Sequence, residues 1–318
     1  MELLALADDL TGALEVGALW AARVTTELRL DPDVPALVID TETRHLPAVE
    51  AALRVNELAR EARQAGVARL FKKTDSTLRG NIGAELEAIL SAWPGLPLIY
   101  APAYPVMGRT VRSGVLYVNG VPVSETSFSA DALNPVSGSF IPGVLTPQCG
   151  RPVLSITPAA LRNAAPGSIH VCDGETEDDL EAVARGGFVL NAGPSGLAQH
   201  LFSRPPAPLP RVPCAAILNG SRHPVSIEQA RLAQGCGWPV LGRDGGPDAQ
   251  GFPALVVFGG DTAFAFLDRL GVRSLWPLGE VLPGVPISRF EHDGRRRYLI
   301  TKAGASARPT SSGGFDSD

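Results

Sequence analysis

The chain of 318 residues is expected to be an α/β protein of two α/β domains, each a mainly parallel sheet flanked by helices. Three observations predict this. Short apolar runs alternate with amphipathic stretches of helical period, which is the pattern of βαβ units. The length exceeds what one small core fills. A segment with five prolines, Ser203 to Pro213, interrupts the alternation, which resumes behind it. The boundaries follow: 1–204, a linker at 205–213, and 214–318.

In the first domain strands are expected at Leu3–Ala7, Ala36–Asp40, Val67–Phe71, Leu96–Ala101, Pro152–Ile156, Ser168–Cys172 and Phe188–Asn191. The clearest helix runs from Pro47 to Gln64, with proline suited to a first turn and Gly66 to a C-terminal stop. A second helical pattern covers Gly83–Leu90. Leu116 to Val123 reads as a hairpin, because Asn119-Gly120 supplies the positive φ of a tight turn. Beyond the prolines come a strand at Cys214–Leu218, a helix at Ser226–Gln234, a strand at Leu255–Phe258 and a further helix. The last residues, from Ala305 to Asp318, are rich in Ser, Gly and Asp and are expected to be mobile.

A formal charge of -5, 45% hydrophobic and 19% charged residues describe an ordinary globular chain, not a nucleic-acid or anionic-membrane surface. Cys149, Cys172, Cys214 and Cys236 form no CxxC pair, so structural zinc is disfavoured and reduced thiols in a cytoplasm are expected. The N-terminal run Met1 to Asp9 has an acid near its start and only a short apolar stretch, so it is read as a strand and not a signal peptide. No stretch approaches a membrane span.

The chemistry concentrates where strands end. Lys72-Lys73-Thr74-Asp75-Ser76-Thr77-Leu78-Arg79-Gly80-Asn81 packs cations, a carboxylate and hydroxyls between a strand and a helix, which suits an anionic ligand. Its bland alternative is a solvated turn with a hydroxyl cap. Asp8-Asp9-Leu10-Thr11-Gly12 follows the first strand, where open α/β sheets collect ligands. One aspartate there serves as a proton acceptor or magnesium ligand, or as the N-cap of the next helix. Arg44, after the second strand, is placed to clamp a carboxylate. Pro102 to Arg112 brings Arg109 and Arg112. The basic loops at 44, 72–79 and 109–112 together suggest one anionic pocket. In the second half, Asn219-Gly220-Ser221 and Phe258-Gly259-Gly260-Asp261-Thr262 both join a strand to a helix, where glycines let a backbone approach phosphate. No P-loop, GxGxxG or HExxH occurs.

These motifs resemble the four-carbon acid sugar kinases, which phosphorylate threonate, erythronate or 3-oxo-tetronate with ATP. The likeness rests on Ala7 to Ala13, Lys73 to Asn81, Tyr104 to Thr110, Gly220-Ser221, Gly259-Gly260-Asp261-Thr262, Pro283-Gly284-Val285-Pro286 and Thr301-Lys302-Ala303-Gly304, in the family's order across nearly the whole chain. The resemblance implies an N-terminal domain for the acid sugar and a C-terminal domain for ATP, facing each other with the active site in the interdomain cleft, and transfer of the γ-phosphate to the C4 hydroxyl. It implies catalytic roles for Asp9, Lys73 and Asp75, and substrate contacts from Asp8, Arg44, Ser76, Arg79, Gly80 and Arg109. Ser221, Gly259, Gly260, Asp261, Thr262 and Gly304 then approach ATP. The cofactors implied are ATP and Mg2+, with no metal ligand firmly assigned, and a homodimer is left open. The chain departs from the family in the short stretch from Arg222 to Phe258 and in Ala303, Ala305 and Ala307 of the last motif. These departures give the competing reading, a non-catalytic sugar-acid-binding or regulatory homologue with a degenerate ATP lobe. A phosphatase or aldolase acting on anionic metabolites is a third and weaker option.

Overall fold

A computed structural model describes residues 1–131, 133–202, 208–212, 214–245 and 247–303. Part of the expected linker, Gly304 and the tail from Ala305 lie outside the described residues. The chain divides into two compact units, Met1–Pro205 and Pro206–Asp318.

The first unit runs β1 (Leu3–Ala7), α1 (Leu10–Trp20), β2 (Arg23–Thr25), β3 (Ala36–Asp40), α2 (Ala48–Gln64), β4 (Arg69–Lys73), α3 (Ile82–Ala92) and β5 (Leu98–Tyr100). The antiparallel ribbon β6 (Arg109–Arg112), β7 (Val115–Val118) and β8 (Val121–Pro122) follows. Then come α4 (Ile141–Leu145), β9 (Val153–Ile156), β10 (Ile169–Cys172), α5 (Glu177–Arg185), β11 (Leu190–Gly193) and α6 (Ser195–Leu201).

Eight of these strands form an all-parallel sheet in the order β2-β3-β1-β4-β11-β5-β10-β9. Central strands carry apolar runs because helices cover the sheet: β1 and β3 are buried at every position, Asp40 at the end of β3 included. α2 and α3 pack together in one helical group; α1, α5 and α6 form another. From β1 the chain goes to one side for β2 and β3, then crosses to the other for β4. The loops after β1, β3 and β4 therefore meet at a topological switch point, the place where such sheets bind ligands. At the β7–β8 turn Asn119 (φ 51°) and Gly120 (φ 81°) are both left-handed, as a two-residue hairpin requires.

The second unit runs β12 (Ala215–Asn219), α7 (Pro224–Gly235), β13 (Val240–Leu241), β14 (Ala254–Phe258), α8 (Gly260–Arg269), β15 (Ser274–Leu282), β16 (Val285–His292) and β17 (Arg295–Lys302). Within the unit β13-β12-β14-β17 pair parallel, whereas β17-β16-β15 is an antiparallel meander. This sheet is mixed, and the meander was not legible as strands.

Two strands lie two residues further toward the C-terminus than expected. Val67–Phe71 is observed as Arg69–Lys73 and Phe188–Asn191 as Leu190–Gly193. In both, polar or small residues complete the strand, because its last positions are enclosed by neighbours on each side. Lys72 thereby belongs to a buried strand and not to a loop.

Candidate active site

Unit 1 gathers its charged residues above β1, β3 and β4. Asp9 is the N-cap of α1, its Oδ1 accepting from Gly12 N at 3.0 Å, while Asp8 is buried at the end of β1. The β3 loop turns through Glu42, a non-glycine residue at φ 45°, and delivers Arg44. Arg44 Nε donates to Asp8 Oδ2 at 2.8 Å and Nη1 to Asp9 Oδ2 at 2.7 Å, and Nη2 lies 3.8 Å from Asp75 Oδ2. Arg44 is thus engaged by three carboxylates and locks the loops together; the fork read as a carboxylate clamp is already filled.

Asp75 is held more tightly still. Its Oδ1 accepts from Thr77 N (2.8 Å), Thr77 Oγ1 (2.5 Å) and Arg79 N (3.3 Å), and its Oδ2 from Arg79 Nη2 (2.7 Å). Burial alone raises its pKa, but Arg79, Arg44 and these hydrogen bonds outweigh it and hold the carboxyl far below the usual range. Asp8 behaves alike: burial opposes ionisation, and Arg44, Lys72 and Lys73 overcome it. Arg79 also reaches Asp131 Oδ2 at 3.1 Å and lies 5.6 Å from the Phe128 ring centre. The same loop places buried Leu78 at φ 69°, a strained setting for a branched side chain, and Gly80 at φ 90° against Arg44.

Lys73, 4% exposed, donates to Thr74 O at 2.8 Å and lies against Gly12, where an added Cβ would stand 2.4 Å from Nζ. A glycine in the first turn of α1 therefore makes room for the ammonium. Arg109 faces Asp75, Glu15 and Arg79, and its burial lowers its pKa. Ser76 is half-buried on the same loop. Asp8, Asp9, Arg44, Lys73, Asp75, Ser76, Arg79, Gly80 and Arg109 are thus brought to one end of one sheet.

Two members of the expected basic pocket are not part of it. Lys72 is fully buried and pairs with Glu85 Oε2 at 3.2 Å, Glu85 in turn accepting from Thr43 Oγ1. Arg112 is exposed and bound to Glu175 at 2.7 Å. Strand alternation sends Lys72 to the opposite face from Lys73, and Arg112 ends the strand that Arg109 begins.

Glu15 was missed. It is the only charged residue in α1, and that isolation was the available signal. Ser195 Oγ, at the start of α6, donates to its Oε2 at 2.6 Å. Burial raises the Glu15 pKa despite the pull of Lys73 and this hydrogen bond.

In unit 2, Ser221 follows β12, and Gly259, Gly260, Asp261 and Thr262 join β14 to α8. Gly259 has φ 106°, and its N–H donates to Lys302 O at 3.0 Å. Gly220 lies so close to Thr262 that an added Cβ would stand 1.8 Å from its Oγ1. Lys302, unassigned from sequence, ends β17 beside both turns, with Nζ 3.4 Å from Ser226 Oγ and 5.2 Å from the Phe258 ring centre. Burial lowers its pKa to about 8. His223 caps α7, its Nδ1 accepting from Val225 N at 3.3 Å. Two glycine turns, two helix N-termini and one buried cation suit a polyphosphate. Among the described residues no group of three His, Cys, Asp or Glu could hold a metal ion.

Residues 3–201 match the model of a sugar-binding N-terminal domain, and residues 247–306 that of a nucleotide-binding C-terminal domain. The D-threonate kinase of Bordetella bronchiseptica is 37% identical over 73% of this chain and 62% of its own length. The chain belongs to the four-carbon acid sugar kinase family. The D-threonate kinase of Cupriavidus necator is 29% identical over 96% of this chain and 95% of its own. The D-erythronate kinase of Heliobacterium modesticaldum is 29% identical over 63% of this chain and 53% of its own. The chain thus spans between about half and nearly all of the length of these family members. Among solved structures, one from Salmonella typhimurium LT2 shares the fold with a TM-score of 0.76 at 20% identity, over 96% of each chain. A domain-swapped dimer from Bordetella bronchiseptica with bound citrate is 30% identical with a TM-score of 0.55, over 96% of this chain and 95% of that one. No helix among the described residues is long and apolar enough to cross a membrane.

Proposed function

We propose that the protein is a kinase that transfers the γ-phosphoryl group of ATP to the C4 hydroxyl of a four-carbon acid sugar such as threonate, erythronate or 3-oxo-tetronate. The observation that carries this reading is the assembly of Lys73, Arg79 and Arg109 with Asp8, Asp9 and Asp75 at the switch point of a sheet matching a sugar-binding domain. Phosphoryl transfer asks a protein for alignment and for cations around the moving charge more than for covalent chemistry. Lys73 and Arg109 supply cations for a sugar carboxylate or the moving phosphoryl group. Ser76 supplies a hydroxyl, while Gly80 leaves room for Arg44. Asp9 and Asp75, with both oxygens engaged, act in catalysis as orienting groups that fix Arg44, Arg79 and the first turn of α1. Asp8 and Arg44 fasten the β1 and β3 loops beneath the substrate.

Ser221, Gly259, Gly260, Asp261 and Thr262 receive the nucleotide through backbone N–H groups and small side chains, and Lys302 adds a charge for its phosphates. Gly304 completes this set in our reading. Mg2+ would arrive on the ATP phosphates and screen their charge, an ion that is usually held by one or two carboxylates plus phosphate oxygens; Asp261 is the carboxylate of this set. The bound citrate of the Bordetella structure, a polycarboxylate, is consistent with an anion site, and the domain-swapped state of that protein supports a homodimer here. A cytoplasmic setting fits ATP as co-substrate.

The test is ADP release from purified protein with Mg-ATP, across threonate, erythronate and 3-oxo-tetronate isomers. Release that depends on one acid and falls about 100-fold or more in Lys73→Ala supports the reading. No release, with acids still raising thermal stability, would instead identify a binding protein.

A further inference from the structure

The carboxylates of the switch point differ in how much capacity they retain. Asp75 receives four hydrogen bonds, three of them on Oδ1. Asp9 gives Oδ1 to Gly12 N and Oδ2 to Arg44, and Asp8 gives Oδ2 to Arg44 while its Oδ1 is buried. Glu15 differs. Ser195 fixes its Oε2, the residue is partly exposed, and among the described residues no donor reaches Oε1. Lys73, Arg44 and Arg109 surround it from the β4 end, the β3 loop and β6, with Asp9 as the neighbouring like charge. No other charged residue lies on α1 itself.

We infer that Glu15 is the proton acceptor of the phosphoryl transfer, with Ser195 holding its carboxylate so that Oε1 meets the substrate hydroxyl. This rests on the kinase reading above. In the step, the acceptor hydroxyl oxygen bonds to the γ-phosphorus as the bond from that phosphorus to the β–γ bridging oxygen breaks. ADP departs with that bond's electron pair, and the hydroxyl proton passes to Glu15 Oε1. A base serves best when its pKa lies near the working pH. The surroundings drive the two kinds of carboxyl apart in that sense, Asp75 downward and Glu15 upward. The same comparison explains why an aspartate saturated with donors makes a good anchor and a poor base.

The experiment follows ADP release against pH for wild type, Glu15→Gln and Ser195→Ala, with acid-sugar affinity measured separately by calorimetry. Glu15→Gln is expected to lower kcat by about 100-fold or more while the Kd for the acid stays within about twofold, and to remove the fall in activity on the acid side. Ser195→Ala, which removes the bond that orients and stabilises the carboxylate, is expected to lower kcat less than Glu15→Gln does and to move that acid limb to higher pH. A kcat for Glu15→Gln close to wild type, or acid limbs unchanged in both variants, overturns the assignment. So does a loss of acid binding that accounts for the whole effect, since Glu15 would then be a binding group. Failure of the wild type to release ADP with any acid would overturn the kinase reading as well, which separates the two.

Discussion

Lys72→Met removes one half of an ion pair that solvent does not reach: Lys72 is 0% exposed and Glu85 1%. Lys72 Nζ lies 3.2 Å from Glu85 Oε2 and 3.2 Å from Lys73 O, while Thr43 Oγ1 donates to the other Glu85 oxygen. Stripping one partner from such a pair costs about 3–5 kcal/mol, because the remaining charge is buried without compensation. For a unit of this size each kcal/mol moves the melting point by about 2–4 °C, so the first unit should melt roughly 6–20 °C lower. The loss should depend on pH. Burial already raises the Glu85 pKa against the pull of Lys72; without Lys72 it rises further. A carboxyl with a raised folded-state pKa contributes stability below its unfolded value of about 4.3 and loses it as pH rises through the folded value. The variant should therefore be more impaired at pH 8 than at pH 5. Calorimetric melts of Lys72→Met, Glu85→Leu and the double variant at both pH values test this. The double variant should recover most of the loss, since an apolar pair of similar volume is often neutral. A single-variant cost below about 1 kcal/mol, the range of surface pairs, or a double variant no better than the worse single, would refute the argument.

Arg44→Ala should cost about 3–5 kcal/mol at pH 7 by leaving Asp8 and Asp75 without their shared cation. Both carboxyls are depressed in the wild type, so their stabilisation is present above the unfolded value of about 3.9 and is lost as pH falls below it; acid denaturation of the variant should be shallower in urea titrations. Gly220→Ala forces a methyl group into Thr262 Oγ1, 1.8 Å from the ideal Cβ position. It should cost about 1–3 kcal/mol and weaken the thermal shift produced by ATP, while the shift produced by the acid sugar is unchanged. Lys302, with a folded-state pKa of about 8, binds fewer protons than an unfolded lysine titrating near 10.4. Stability of the second unit should rise between pH 8 and 10, and Lys302→Met should abolish that rise in denaturant melts.

The parallel sheet of the first unit was legible because its strands contain short apolar runs and its helices are periodic. The placement of Asp9, Lys73, Asp75 and Arg79 was legible because each lies at a strand end, where the alternation of elements fixes the neighbourhood. What periodicity does not show is which cation a buried acid will claim. Lys72 and Lys73 look equivalent in sequence, yet one faces Glu85, thirteen positions on and on another element, and the other faces the site. Glu15 is a lone acid on an apolar helix, and its meaning depends on Ser195, 180 positions away. The β15–β17 meander was missed because Pro277, Gly279 and the run Arg295-Arg296-Arg297 break apolar alternation, and register shifts interrupt the β15–β16 pairing.

The sheet order has a consequence for how the chain is made. β11 lies between β4 and β5, although it begins 117 residues after the end of β4 and 90 after the end of β5. Until residue 193 emerges, the nascent first unit holds two part-sheets whose inner edges, β4 and β5, present unpaired backbone, the situation that invites association with other chains. Ser195 follows β11 immediately, so its contact with Glu15 is made only when that seam closes. Synthesis halted before Leu190 should yield aggregation-prone fragments, whereas a halt after Leu201 should release a first unit that has completed its sheet.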